Sequence, residues 1–192
     1  MPVYGGKLPP IVMDVLNGIR VTNQKAVSCV VYGNNEIGAA LRQLTKILEE
    51  RGFSVVAASA FIAEHSFSAY FPIAIGRPDE KDILAPEEFG RSVLARAGSN
   101  KNVSWKTIED TTLLSTRLLP KKGPKPVVDH DKCILCGTCA ENCPMGILDS
   151  ATAEYRDAAA AKLCLGCMSC VKRCPEHARS FTIPGGGPWW VC

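Results

Sequence analysis

The sequence predicts an α/β domain joined to a small α+β domain. Residues 26–97 alternate between apolar, β-branched runs and amphipathic segments, which is the pattern of strands alternating with helices. Residues 133–175 hold eight of the ten cysteines in a duplicated arrangement. A basic, proline-rich connector separates the two parts. We therefore assign residues 1–98 to the first domain, 99–126 to a linker, 127–183 to the second domain and 184–192 to a tail.

The first domain starts with what reads as the end of a strand, Pro2-Val3-Tyr4, running into a glycine loop. A helix is expected from Pro10, because proline suits the first helical position. The residues from Ala26 to Tyr32 are apolar nearly throughout, which predicts a parallel strand buried on both faces. Apolar residues spaced i, i+4, i+7 and i+11 then predict a helix over Glu36–Arg51.

A second strand and a last helix complete this pattern. Gly52 stands where a helix-ending glycine belongs, and Phe53–Ala60 reads as another buried strand. Residues 61–71 are expected to form a loop. A helix should follow from about Asp79 to Ala97, kinked or split at Pro86. The result is a doubly wound arrangement of strands and helices.

The cysteines fall into two runs with the same spacing, C-x2-C-x2-C-x3-C-P, and each position recurs 31 residues later. This spacing is typical of iron–sulfur ligands, because a cubane cluster needs four thiolates converging on one small body. Three alternatives compete with it. A disulfide framework needs an oxidising compartment, and zinc sites usually pair two C-x2-C units. A cluster with a purely structural role would fold so small a module.

Residues 133–175 resemble a bacterial-type ferredoxin that carries two [4Fe–4S] clusters. In that family the fourth ligand of each cluster comes from the other run. The resemblance therefore implies one cluster on Cys133, Cys136, Cys139 and Cys174, and a second on Cys164, Cys167, Cys170 and Cys143. Gly137 and Gly166 would leave room for backbone near the sulfurs.

Two further segments, Glu64-His65-Ser66-Phe67 and Gly76-Arg77-Pro78-Asp79, extend the resemblance to the first domain. With the order of the domains, they make residues 1–98 and 127–183 similar to a family of anaerobe proteins that fuse a flavodoxin-like domain to a two-cluster ferredoxin. Such a domain holds FMN, and the resemblance implies contacts to the flavin ring from the strand-end residues Tyr4, Tyr32, Gly33 and Asn34.

The chain departs from that family at its amino end. A flavodoxin-like domain begins with a strand and a Ser/Thr/Gly-rich loop around the FMN phosphate, and this sequence has no such loop. We therefore expect a partial, N-terminally truncated flavodoxin-like sheet without tight FMN binding. A fragment, a truncated gene product and one half of a split protein all stay open, and another chain is a candidate to complete the sheet.

The distribution of charge and of apolar residues narrows the classes of partner and location expected for this chain. Residues 1–126 hold 16 Lys and Arg against 12 Asp and Glu, a net charge of +4, whereas residues 127–192 hold 6 against 7, a net charge of −1. A basic half joined to an acidic half argues against a nucleic acid partner and fits docking between redox modules. No apolar run approaches the ~20 residues of a membrane span, and no secretory signal is recognisable.

Together these features predict an iron–sulfur electron-transfer protein that exchanges single electrons with redox partner proteins. A flavin-dependent oxidoreductase, in which clusters feed an FMN site, is the alternative from the enzyme class. A structural or oxygen-sensing cluster protein is the third hypothesis. Ten cysteines without an export signal favour a reducing cytoplasm, and exposed clusters of low potential favour an anaerobic host.

Overall fold

The computed structural model describes residues 1–96, 98, 101–111 and 125–181. It divides the chain into two compact units, Met1–Arg117 and Leu118–Cys192. Both are mixed α/β structures with small sheets. No helix within the described ranges is long and apolar enough to cross a membrane. The predicted tail and most of the basic stretch 117–126 lie outside the described residues.

The first unit is built on two parallel strands. Its elements are α1 (Pro10–Asn17), β1 (Gln24–Tyr32), α2 (Ala40–Glu50), β2 (Phe53–Ile62) and α3 (Glu80–Arg96). β1 pairs with β2 from Gln24↔Phe53 to Tyr32↔Ile62. The other edge of β1 holds the amino-terminal segment, where Pro2 forms a parallel bridge to Val31 and Val3 N donates to the Val31 carbonyl at 3.0 Å. Three parallel segments therefore lie side by side.

The apolar core of this unit lies on one face of the sheet. α1 and α2 pack together there, and the buried side chains come from both helices, from the strands and from the segment before α1: Leu8, Leu16, Val30, Ala40, Leu44, Ile47, Leu48 and Val55. Each such side chain contributes roughly 1.5–3 kcal/mol when it is removed from water. The helix predicted from Pro10 is confirmed, and Leu16 is its buried residue.

The prediction that the first strand is buried on both faces is wrong. Side chains alternate along β1, so Ser28 and Val30 face the core and are fully buried. On the opposite face Val27 and Val31 stay 39% and 40% exposed. The strand is apolar on both faces, but the described residues cover the second face only in part. On that face Phe89 of α3 packs against Phe61.

Two predicted element boundaries also move. α2 begins at Ala40, four residues after the predicted start, because Gly38 adopts φ +56° and its backbone packs against Gly6. A Cβ at Gly38 would lie 2.5 Å from the Gly6 carbonyl oxygen, so the close approach requires glycine. β2 continues to Ile62, and the segment predicted as loop therefore begins two residues later than expected.

α3 is continuous through Pro86, so the predicted split does not occur. Its start is fixed by polar contacts: Asp79 Oδ1 accepts from the backbone N–H groups of Lys81 and Asp82, and Arg77 bonds the Asp82 carboxylate. Residues 101–111, which the sequence places in the linker, belong to the first unit. There Trp105 lies beneath Arg42, with 5.0 Å from the guanidinium carbon to the ring centre.

The second unit contains short elements around the cysteine runs. These are β3 (Val127–Val128), α4 (Thr138–Glu141), α5 (Ala158–Lys162), α6 (Ser169–Lys172) and β4 (Arg179–Ser180). β3 and β4 pair antiparallel, with Val127 opposite Ser180 and Val128 opposite Arg179. β3 thus opens the second domain at its predicted boundary, Val127, and α4 and α6 pack against each other.

Candidate metal centre

The backbone of the two cysteine runs repeats as faithfully as their sequence. α4 and α6 begin and end at positions 31 residues apart. Left-handed backbone occurs at the same three equivalent pairs: Leu135 with Gly166, Gly137 with Met168, and Gly146 with His177. Glycine stands in one member of each pair and a side chain in the other, so the loop geometry, more than the identity of the residue, is what the duplication preserves.

Four cysteines drawn from both runs line one cavity. Its volume is about 360 Å³, part of it open to solvent, and its lining includes Cys143 from the first run with Cys164, Cys167 and Cys170 from the second. The charge of Cys143 also acts on Cys167, which places these two thiols close together. The structure thus brings together the remote cysteine of one run and the three closely spaced cysteines of the other.

Apolar side chains and a phenol complete this cavity. Met168, only 1% exposed, and Leu148, 3% exposed, lie in its wall. The Tyr155 hydroxyl approaches Cys164 Sγ at 3.5 Å. Burial and this hydrogen bond raise the pKa of Tyr155, so the phenol is neutral and acts as a donor.

Burial also raises the pKa of the cysteines deepest in this wall. Burial raises the pKa of the Cys170 thiol to about 11, and the positive charge of Arg179 opposes this rise. Burial raises the pKa of Cys167 in the same direction. Because a metal binds the thiolate, such a site needs positive charge to hold several sulfurs deprotonated in an apolar cavity.

The first run is more exposed. Cys136 is an exposed side chain, and hydrogen bonding to Thr138, whose hydroxyl lies 3.3 Å from the sulfur, lowers the pKa of its thiol. The charge of Glu176, two residues beyond Cys174, acts on this same thiol. In the second run, Ala178 N–H donates to Cys174 Sγ at 3.3 Å.

The donor set suits an iron–sulfur cluster. All eight cysteines of the two runs are free thiols, and N–H and O–H groups of the chain already point at sulfur. Within the part of the chain that the structure describes, no three or more His, Cys, Asp or Glu side chains form a group arranged for a single ion. A cubane is a larger body than one ion, and the four sulfurs are spread over the wall of this cavity rather than gathered at one point.

The residues predicted to touch a flavin lie in two loops of the first unit. Tyr4 bonds Lys7 across a tight turn, and Tyr32 ends β1. Gly33 lies against His65, whose Cδ2 would be 2.5 Å from a Cβ at that position. Asn34 adopts φ +56°. Flavin contact by these four residues stays a prediction.

The sequence interpretation missed two residues of the centre, Tyr155 and Arg179. Neither belongs to the cysteine pattern. Arg179 could have been found by extending the 31-residue repeat beyond the prolines, because it is the equivalent of Leu148 and both are 3% exposed. A charged residue at a position that is apolar in the other copy is a recognisable signal. Tyr155 lies between the runs and has no such signal.

Comparison with known proteins agrees with this site. Residues 125–180 match the family of 4Fe-4S dicluster domains. Over 79 residues the chain is 33% identical to the PorD subunit of pyruvate synthase of Methanothermobacter marburgensis, covering 41% of this chain and 72% of that subunit. The chain belongs to the 4Fe-4S dicluster family that this relative represents, and its second unit is an iron–sulfur electron-transfer domain.

Two other relatives are also named as components of redox enzymes. The chain is 36% identical over 56 residues to the delta subunit of NADH-dependent phenylglyoxylate dehydrogenase of Aromatoleum evansii, which covers 29% of this chain and 58% of that protein. It is 37% identical over 59 residues to a component of the F(420)H(2) dehydrogenase of Methanosarcina mazei, covering 26% of this chain and 17% of the relative. The chain thus spans just over half of one relative and a small part of the other. No solved structure matches it.

Proposed function

We propose that the chain holds two [4Fe–4S] clusters with crossed ligand sets and exchanges single electrons with redox partner proteins. The observation that carries the proposal is the cavity shared by Cys143, Cys164, Cys167 and Cys170. The duplicated backbone supports the same arrangement for Cys133, Cys136, Cys139 and Cys174. When bound, the clusters would supply one-electron transfer without proton or group chemistry.

The chain's own residues have three tasks in this function. The eight thiolates hold iron, and the left-handed loops at Gly137 and Gly166 let the backbone wrap close to the sulfurs. The Tyr155 hydroxyl and the Ala178 N–H donate to ligand sulfur, and such donors tune reduction potential. Buried apolar side chains such as Met168 exclude water from the second set.

Voltammetry of the anaerobically purified full chain tests this function. We expect reversible one-electron waves and rapid reduction of an added acceptor protein. A chain that contains iron and sulfide but gives no reversible wave would instead have clusters with a structural or oxygen-sensing role. The whole enzymes to which the relatives belong are named for dehydrogenase and synthase activities, and we propose a partner of that redox class for this chain.

We infer further that the first unit is a partial flavodoxin-like sheet. Three parallel segments in the order Pro2, β1, β2, with α2 as the connection between the two strands, support this inference. The loop after Tyr4 and the loop after Tyr32 meet where Gly6 contacts Gly38, as loops at one edge of such a sheet should. A second chain that pairs with the amino-terminal edge would complete the sheet.

The runner-up function, a flavin-dependent oxidoreductase, depends on this first unit. A flavin phosphate site needs several charge-assisted hydrogen bonds of roughly 1.5–3 kcal/mol each, and the sequence supplies no loop for them. We therefore expect no saturable change in flavin fluorescence when FMN is added to the full chain at micromolar concentrations. Saturable binding in that range would favour the flavin enzyme.

We also propose a reducing compartment, such as the cytoplasm of an anaerobe, as the setting for this chain. All the described cysteines are free, and the exposed Cys136 has a lowered thiol pKa that favours reaction with oxidants. Aerobic purification should therefore lose iron more quickly than anaerobic purification. Equal iron retention after a day in air would contradict this proposal.

A further inference from the structure

A buried arginine stands beside the second set of cysteines. Arg179 in β4 is 3% exposed, and its guanidinium donates to the carbonyl oxygens of Ala153 and, at 3.4 Å, Pro126. Its Nε is buried and has no hydrogen-bond partner among the described residues. Arginine is almost never fully buried unless a negative group pairs with it, and the structure shows no carboxylate bonded to Arg179 within the described ranges.

A cysteine thiol of the second set interacts with this buried charge. The Arg179 side chain acts on Cys170 both through its charge and through a hydrogen bond, and its charge also acts on the Tyr155 phenol next to Cys164. Pro126, one of the two carbonyl partners, lies in the wall of the cavity that contains Cys170. The guanidinium therefore bonds a residue of the wall of the second set's cavity, and thiolates in that wall would compensate its charge.

The other copy of the repeat has no such charge. Position 148, which is 31 residues before Arg179, is a leucine with the same 3% exposure. An exposed carboxylate, Glu176, instead follows Cys174, the ligand that the second run would supply to the first set, by two residues. Two nearly identical loops thus lie in opposite electrostatic environments, one with a buried cation and one with an exposed anion.

We propose that Arg179 is a positioning residue that makes the centre on Cys143, Cys164, Cys167 and Cys170 the first of the two to be reduced. This inference rests on the proposed two-cluster function. One-electron reduction adds one negative charge and no atom, and the electron comes from an external one-electron reductant, a redox partner protein or dithionite. Arg179 stabilises the added charge, and burial keeps solvent from screening that interaction. Electrons that enter at the exposed Cys136 would then move inwards.

An EPR-monitored redox titration of the anaerobically reconstituted full chain tests the proposal. Arg179→Leu places at position 179 the residue found at position 148. In this variant the reduced-to-oxidised ratio of the first-reduced centre, measured at the wild-type midpoint potential, should fall at least about tenfold. For a one-electron couple this corresponds to a midpoint lower by about 59 mV. Arg179→Lys should restore most of this loss. The control Arg173→Leu removes an exposed arginine from the same run and should change the ratio less than about threefold, because water screens its charge.

Arg179→Gln keeps a hydrogen-bond donor for the backbone carbonyls and removes the charge. It replaces Arg179→Leu in the titration if that variant does not assemble its clusters. Assembly is read from iron and sulfide content, which separates failure of the two-cluster function from failure of this inference. If the reduced-to-oxidised ratio at the wild-type midpoint potential changes less than twofold in an assembled Arg179→Leu or Arg179→Gln variant, the inference is overturned. In the wild-type background, Cys164→Ser should remove the first-reduced signal; loss of the other signal would also overturn it.

Discussion

The positions that matter most at the scale of single residues are those where the repeat is broken. Leu135 and Gly166 share a left-handed backbone, as do Gly137 and Met168, so glycine alone does not mark these turns. The sequence identified all eight cysteines from their spacing. The cysteine spacing does not extend to Arg179. A comparison with Leu148 in the other copy would have marked the position, but its bond to the cavity wall depends on tertiary packing.

The crossed ligand sets that we propose lead to a prediction for Cys174. Cys174→Ser should damage the cluster held by Cys133, Cys136 and Cys139, because Cys174 would be its fourth ligand. The other cluster should stay intact, because it would not use Cys174. Iron and sulfide analysis with EPR of the reduced protein measures the outcome. If Cys174→Ser instead removes the centre on Cys164, Cys167 and Cys170, each run holds its own cluster. Cys29→Ser is the matched control, since Cys29 lies in β1 of the first unit.

At the scale of elements, the packing of α2 on β1 includes one buried polar pair. Thr45 Oγ1 donates to Ser28 Oγ at 2.9 Å, and both residues are 0% exposed. Thr45 also lies 2.9 Å from the Leu41 carbonyl, which a threonine inside a helix can bond. A polar pair at this depth is stable only while both members are present.

We therefore predict that Thr45→Val lowers the free energy of unfolding by about 1–3 kcal/mol, because Ser28 loses its buried partner. The double variant with Ser28→Ala should lose less than the sum of the single losses, since no unpaired group remains. Urea unfolding of the full chain, followed by Trp105 fluorescence with Trp189→Phe and Trp190→Phe, measures both. The exposed Thr107→Val should change stability by less than about 0.5 kcal/mol. Additive losses would show that the pair is not coupled.

Secondary structure was predictable where local chemistry decides it. Pro10 starts α1 and Gly52, at φ +94°, follows the end of α2, as their sequence positions indicate. The start of α2 was not predictable, because the contact of Gly38 with Gly6 joins residues far apart in sequence. The open face of β1 was not predictable either. Its composition indicates burial on two sides, and only packing shows which side is covered.

At the scale of the whole molecule, the two units differ in how far their sequence features are explained by their own structure. The second unit matches a known family over residues 125–180, and four of its eight motif cysteines line one cavity. The first unit leaves apolar side chains such as Val27, Val31 and Leu94 exposed. Because sheet faces of this kind are normally covered, we expect the first unit to be the less stable one when tested by limited proteolysis.

The number and kind of metal centres tests the central claim most directly. Anaerobically reconstituted full chain, desalted and then analysed for iron, zinc and acid-labile sulfide, should contain about eight iron and eight sulfide per chain, because each [4Fe–4S] cluster has four of each. Eight cysteines in two duplicated runs, four of them around one cavity, are the basis of this prediction. Zinc without acid-labile sulfide would contradict the account, and four iron with four sulfide would limit it to a single centre.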